Sequence, residues 1–182
     1  MATWTVIDHT ELSGAAASYN VTSIPTSYDH LYLLAHSSTS HGVYYQNTFL
    51  RFNGDTGNNY NSRKLQFGGS PSTGGTGKNL ALGYIENLYV NGANTHADMF
   101  STMEMWIFGY KSTIGHVSVL AQAHAMDNTA TNYQWGIDGH ASNWVGSDGS
   151  TPEAIDEISL TPSSGDYVAD STFTLYGVTN DA

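Results

Sequence analysis

The sequence predicts an all-β protein: one antiparallel β-sandwich of jelly-roll type, a single domain spanning residues 1–182. Composition is the first observation behind this. Charged residues make up 12% of the chain, while Ser, Thr, Asn and Gly together supply 73 of the 182 residues. Short hydroxyl and amide side chains compete with the helical backbone and glycine loosens it, so this is poor helix material. The second observation is alternation of apolar and polar residues with a period of two, the signature of a half-buried strand. The third is turn chemistry between the alternating runs. About ten short strands at spacings of roughly 8–15 residues read as a sandwich. A chain of 19.6 kDa with 40% hydrophobic residues can bury a core of its own, and it is too rich in core formers for disorder.

Thr3–Asp8 is the first predicted strand. Glu11–Ser18 is the one segment that could hold a short helical turn, and Gly14 weakens it. Strands follow at Tyr19–Ile24, His30–His36 and Thr48–Asn53, the last running into Asn53-Gly54, a pair that tolerates positive φ in tight β connections. Gly68–Gly77 reads as a flexible loop, Leu80–Ile85 as a strand and Asn91-Gly92 as a second turn of the Asn-Gly kind. In Met103–Ile107 the odd positions are apolar while Thr102, Glu104, Trp106 and Phe108 share the other face, which is expected to be covered. From Ile114 to Met126, Val117, Val119, Ala121, Ala123 and Ala125 oppose His116, Ser118, Gln122 and His124. Tyr133, Trp135 and Ile137 alternate with Asn132, Gln134 and Asp138. Ser142–Thr151 reads as a loop, and Ile155–Leu160 and Thr172–Val178 as closing strands.

Charge excludes several partners. Asp and Glu total 16 against 5 Lys and Arg, a formal charge of −11. Phosphate binding needs a cationic face, so neither nucleic acid nor an anionic membrane is an expected partner. Cysteine is absent, which removes disulfides, thiolate metal sites and thiol nucleophiles. Met-Ala-Thr-Trp-Thr at the start has no basic or apolar region, so no Sec signal is expected.

Catalytic and metal motifs fail on spacing. Gly77-Lys78 lacks the phosphate-loop pattern: Ser72 stands where the first Gly belongs and Asn79 where Ser or Thr should bind magnesium. His116 and His124 share a strand face but lie about 26 Å apart at strand rise, too far for one metal. His36 with His41, and Asp138 with His140, supply no third ligand. Ser147 lacks the nucleophile-elbow spacing. Glu86 and Glu104 are the candidates for the two facing carboxylates of a glycosidase, without a recognisable catalytic run around either. Asp55–Asn59 and Asp148–Glu153 miss the EF-hand register, which leaves a loop-end calcium open. No catalytic residue, metal ligand or cofactor-binding residue is assigned, and no cofactor is expected.

Aromatic residues are the remaining candidates for recognition. Trp144, in Ser142-Asn143-Trp144-Val145-Gly146, has two readings: an exposed ring that stacks on a sugar or anchors a protein, or a plug folded into the core. Glu104 beside Trp106 lines a sugar cleft in one reading and is a plain exposed acid in the other. Tyr44, Tyr45, Tyr84 and Tyr89 read as ordinary strand residues.

Three stretches carry a resemblance. Trp4–Ile7 with Ser13–Tyr19 and Ile24-Pro25-Thr26-Ser27-Tyr28-Asp29-His30-Leu31-Tyr32-Leu33 form the opening. Leu50-Arg51-Phe52-Asn53-Gly54-Asp55-Thr56-Gly57-Asn58-Asn59-Tyr60 forms the middle, and Ser171-Thr172-Phe173-Thr174-Leu175-Tyr176-Gly177-Val178 the close. Together they resemble the small single-domain β-sandwich proteins on the virions of tailed bacteriophages, notably those of aquatic and cyanobacterial hosts. The resemblance covers most of the chain in order, but its motifs are structural and transfer no catalytic residue. It implies a non-enzymatic virion protein, foremost a capsid decoration (cement) protein on the outer surface of the major capsid protein lattice. It also implies a homo-oligomer, with a trimer as the natural closed ring, made in the host cytoplasm and located on the capsid exterior. The alternative is a tail-fibre or receptor-binding module with a surface glycan as partner; a polysaccharide-degrading enzyme ranks third. Ligand-binding residues stay unassigned at this level.

Overall fold

The computed structural model describes residues 2–68, 74–96, 98–126 and 135–180. They form an all-β sandwich of twelve strands, with no helix among the described residues. In chain order these are β1 (Ala2–Glu11), β2 (Tyr19–Val21), β3 (His30–Ser37), β4 (Tyr45–Phe52), β5 (Tyr60–Gly68), β6 (Gly74–Leu82), β7 (Ile85–Asn91), β8 (Ser101–Phe108), β9 (Val117–Met126), β10 (Trp135–Trp144), β11 (Ile158–Pro162) and β12 (Thr172–Asn180). An eight-stranded sheet runs β1-β12-β3-β8-β9-β10-β5-β6 and a four-stranded sheet runs β2-β11-β4-β7. Every pairing between these strands is antiparallel.

Alternation decides what lies between the sheets. Leu31, Leu33 and Ala35 of β3, Met103, Met105 and Ile107 of β8, and Phe173 and Leu175 of β12 point inward from the large sheet. Leu50 and Phe52, Ile85, Leu88 and Val90, and Ile158 and Leu160 meet them from the small one, all fully buried. The inward residues of β9 are Val117, Val119, Ala121 and Ala123, and their small size lets β7 cross close above them. Burial of this kind is worth about 1.5–3 kcal/mol for each large aliphatic side chain, which makes the interlayer the main source of stability.

Several elements depart from expectation. Glu11–Ser18 contains no helical turn: Glu11 ends β1, and Ala16 forms a bridge to Tyr167 through backbone hydrogen bonds of 3.0 and 2.8 Å. A strand, β6, begins at Gly74 inside the stretch read as a loop; residues 69–73 of that stretch lie outside the described residues. The run read as one strand over Leu80–Ile85 is instead a junction, with β6 ending at Leu82 and β7 starting at Ile85. The loop read over Ser142–Thr151 begins late, because Ser142, Asn143 and Trp144 belong to β10. Asn53 and Gly54 both have positive φ, and Asp55 N donates to Phe52 O at 2.9 Å to close the turn. Asn91-Gly92 is not a positive-φ turn. Gly92 is required there by crowding, since a Cβ would stand 2.2 Å from Val43 O.

The stretches that carry the resemblance are scaffolding. Asn53 accepts from the backbone of Asp156 and Glu157 and donates to Glu153 and Ala154 O, tying the β4–β5 turn to the chain before β11. Tyr110 donates to Pro25 O at 2.6 Å and accepts from Tyr28 N. The Tyr28 ring lies over the main chain of Gly177, where a Cβ would come within 2.3 Å of it.

Candidate binding face

The face of the eight-stranded sheet that points away from the core holds the most conspicuous surface feature. Register places Val6, Tyr176, Tyr32, Trp106, Leu120, Ala141 and Arg63 in one row across β1, β12, β3, β8, β9, β10 and β5. Seven strands at about 4.8 Å spacing make the row about 29 Å long. Val6 is 54% exposed and Leu120 51%, so the row is open to solvent. Its only formal charge is Arg63, at the far end, in a protein of net charge −11. Scattered exposed apolar residues are ordinary on a monomer, but a contiguous row of them marks a contact surface.

Rings concentrate at the β1 side. Trp4, 47% exposed, meets the rings of Tyr32, Trp106 and Tyr176 at centroid distances of 5.2, 5.3 and 5.8 Å, each close to edge-on. Tyr32 and Trp106 are 5.1 Å apart, and Phe108 stacks parallel to Trp106 at 5.9 Å. Such edge-to-face and offset pairs stabilise each other by about 0.5–1.5 kcal/mol beyond simple burial, so the cluster is a pre-formed platform. Trp106 and Phe108, whose shared face was expected to be covered, are half-buried among neighbouring rings. The Tyr32 hydroxyl donates to Glu104 Oε2 at 2.7 Å. Burial among the rings, reinforced by that hydrogen bond to a carboxylate, pushes the Tyr32 hydroxyl up to about 12.

A groove of about 680 Å³ continues the same face across β8, β9, β10, β5 and β6. Phe108, Leu120 and Leu80 give it apolar walls; Ser118, Asn143, Asn61 and Arg63 are its polar side chains, and among the described residues no carboxylate lines it. Asn61 Oδ1 accepts from Ala81 N at 3.2 Å, which leaves its NH₂ pointing to other partners.

The sequence candidates distribute as follows. Trp144 is 1% exposed and is a core plug, which removes it as a sugar-stacking or anchoring ring. It packs on Phe52 and Tyr60 and donates Nε1–H to Asp55 Oδ2 at 2.7 Å. Asp55 also accepts from Gly57 N and Asn59 Nδ2, so the Asp55–Asn59 segment is a hydrogen-bonded brace. Asp148 accepts from Ser150 and Thr151; the Thr151 side chain and the backbone of both residues hold its carboxyl well below the ordinary range. Glu153 is lowered as well, burial being outweighed by hydrogen bonds from Ser147 and Asn53. Glu86 lies on β7 of the small sheet and Glu104 on the outer side of the large one, so the core separates them and they cannot act as facing carboxylates. His36 stacks on Phe100, His116 and His124 are exposed, and His140 is buried. Among the described residues no three His, Asp or Glu side chains converge as a metal site. Of the early candidates, Glu104, Trp106, His36 and His124 lie on this face, the two histidines on either side of Thr102 in the strand register. Trp4, Tyr32, Tyr176 and Leu120 were missed because each reads alone as an ordinary strand residue until the pairing order is known; Arg63 and Asn61 lie on β5, which the sequence did not reveal as a strand, and Asn143 fell in the stretch read as a loop.

Protein-family models, curated proteins and solved structures all yield no match to this chain.

Proposed function

We propose that this protein is a non-enzymatic structural protein of a tailed-bacteriophage virion, a capsid decoration protein that seats the aromatic side of its large sheet on the coat lattice. The observation that carries this is the open, charge-poor row from Val6 to Ala141 with Trp4 above it. Interface cores are rich in aromatics and poor in charge, and a few buried Trp and Tyr residues supply most of the energy. The resemblance to phage sandwich proteins supplies the setting. The negative charge elsewhere limits stray adhesion, and a closed trimer around a lattice axis would multiply modest contacts. Quantitative mass spectrometry of purified particles tests the reading. A copy number commensurate with the major capsid protein is expected, with occupancy falling more than tenfold for Trp4→Ala combined with Trp106→Ala. A handful of copies per particle, or full occupancy by the double variant, refutes it.

A second reading, a tail-borne carbohydrate-recognition module, is favoured by the groove: an aromatic wall facing amide and hydroxyl groups is the usual composition of a small-ligand site.

A further inference from the structure

We propose that the groove across β8, β9, β10, β5 and β6 binds an anionic carbohydrate, with Arg63 pairing with the acidic group and Asn61 and Asn143 bonding to ring hydroxyls. This rests on the carbohydrate reading and narrows it to a ligand class. Arg63 is exposed and, among the described residues, has no hydrogen-bonded or ionic partner and is the one charge lining the groove. An isolated guanidinium with no carboxylate beside it, in a strongly acidic protein, is complementary to a planar anion it can grip in a bidentate manner.

The neutral groups argue for a saccharide over an acidic peptide. Phe108 and Leu120 offer apolar surface, and the Asn143 amide, the Asn61 amide and the Ser118 hydroxyl offer donors and acceptors for hydroxyl groups. An extended peptide usually adds to a free strand edge. On the groove floor β9, β10 and β5 are each paired on both sides, which leaves β6 at the rim as the edge a peptide could add to, and the poly-glutamate probe tests that alternative. Leu120 and Ala141 belong both to the outer row and to the groove lining, so a bound saccharide covers that end of the row and leaves the Trp4, Tyr32 and Tyr176 end for a lattice contact.

Isothermal titration calorimetry of the full chain tests this with oligogalacturonate (carboxylate), a heparin-derived octasaccharide (sulfate), cellohexaose (neutral) and a poly-glutamate peptide. Binding of one or both acidic saccharides is expected at low salt, weakened at high salt, with Arg63→Gln losing about tenfold and Asn143→Ala severalfold. Whichever acidic probe binds distinguishes a carboxylate from a sulfate ligand. Arg63 and Asn143 lie on the outer face, and unchanged circular dichroism and melting temperature show that loss of binding is not loss of fold. Binding of cellohexaose that Arg63→Gln leaves unchanged overturns the anionic assignment and keeps the carbohydrate reading. Binding of poly-glutamate alone, or of no probe at millimolar concentration, overturns both.

Discussion

Replacing Asp55 by Ala should unfold the protein at markedly lower temperature. Asp55 is 8% exposed and its carboxylate accepts from Trp144 Nε1 at 2.7 Å, Gly57 N at 2.7 Å and Asn59 Nδ2 at 3.0 Å. With the carboxylate gone, the indole N–H stays buried beside Phe52 and Tyr60 without an acceptor, at a cost of about 1–3 kcal/mol. Gly57 and Asn59 lie nearer solvent and recover part of their loss from water, adding about 1 kcal/mol. The expected total is about 3 kcal/mol, which at this chain length lowers the melting temperature by about 6–12 °C. Trp144→Phe removes the donor but keeps most of the ring, and should cost about 1–2 kcal/mol. The two changes share one interaction, so the double variant should fall short of additivity by about 1–2 kcal/mol. Urea unfolding followed by circular dichroism measures all four proteins. A loss below about 1 kcal/mol for Asp55→Ala, or strict additivity, would show that the brace does not hold the plug and would reopen Trp144 as a recognition residue.

Other perturbations test neighbouring parts of the argument. Tyr19, Tyr32, Tyr60, Tyr110 and Tyr167 all have hydroxyls raised above the ordinary 10, chiefly by burial. The folded state holds these protons more tightly, so their contribution is complete below pH 10 and is lost as pH rises through the folded values. The part of the phenolate absorbance that belongs to these five of the twelve tyrosines should therefore appear late and together with unfolding; full reversible titration of all twelve near pH 10 in the folded protein contradicts this. Asp29, Asp148 and Glu153 are lowered, so their contribution is present above about pH 4 and disappears as pH falls below it. A melting temperature independent of pH between 5 and 2 would refute that. Gly177→Ala drives a methyl into the Tyr28 ring and should cost about 1–3 kcal/mol in urea unfolding. Recovery in Gly177→Ala/Tyr28→Ala identifies the clash, and a silent single variant denies it.

What the sequence made legible follows the physics of alternation. β3, β8, β9 and β12 have an apolar residue at nearly every second position because both neighbours and the opposite sheet bury that face, and their extents were readable to within a few residues. β5 was invisible for the opposite reason: at the margin of the sandwich its inward Ser62 meets Ser142 in a hydrogen bond of 2.9 Å, and hydroxyls there write no hydrophobic period. β7 lost its period to an extra residue of its own between Ile85 and Leu88, which pair with Leu50 and Thr48 of β4. The face itself was half legible. Trp106 and Glu104 declare a shared side within one strand, but the row from Val6 to Arg63 takes one residue from each of seven strands. Only the order β1-β12-β3-β8-β9-β10-β5, which no local pattern encodes, aligns them.

That order also explains how an acidic chain can be adhesive in one direction. Its carboxylates lie largely on loops, strand ends and the small-sheet side, as at Asp29, Asp148, Asp156, Asp166 and Asp170. Copies approaching through those surfaces repel one another. The outer row offers aromatic and aliphatic area with almost no charge to desolvate, so the cost of burying it is low and the gain is proportional to area. β1 bounds this face as a ten-residue edge strand with neither Pro nor Lys to block pairing, although the bulge at Ile7 twists its line. Repulsion over the rest of the surface then discourages edge-to-edge stacking of free copies, while the row stays available to a partner that does not share the charge. On the proposed reading, strand order places the adhesive row on one surface and the charge repulsion on the others.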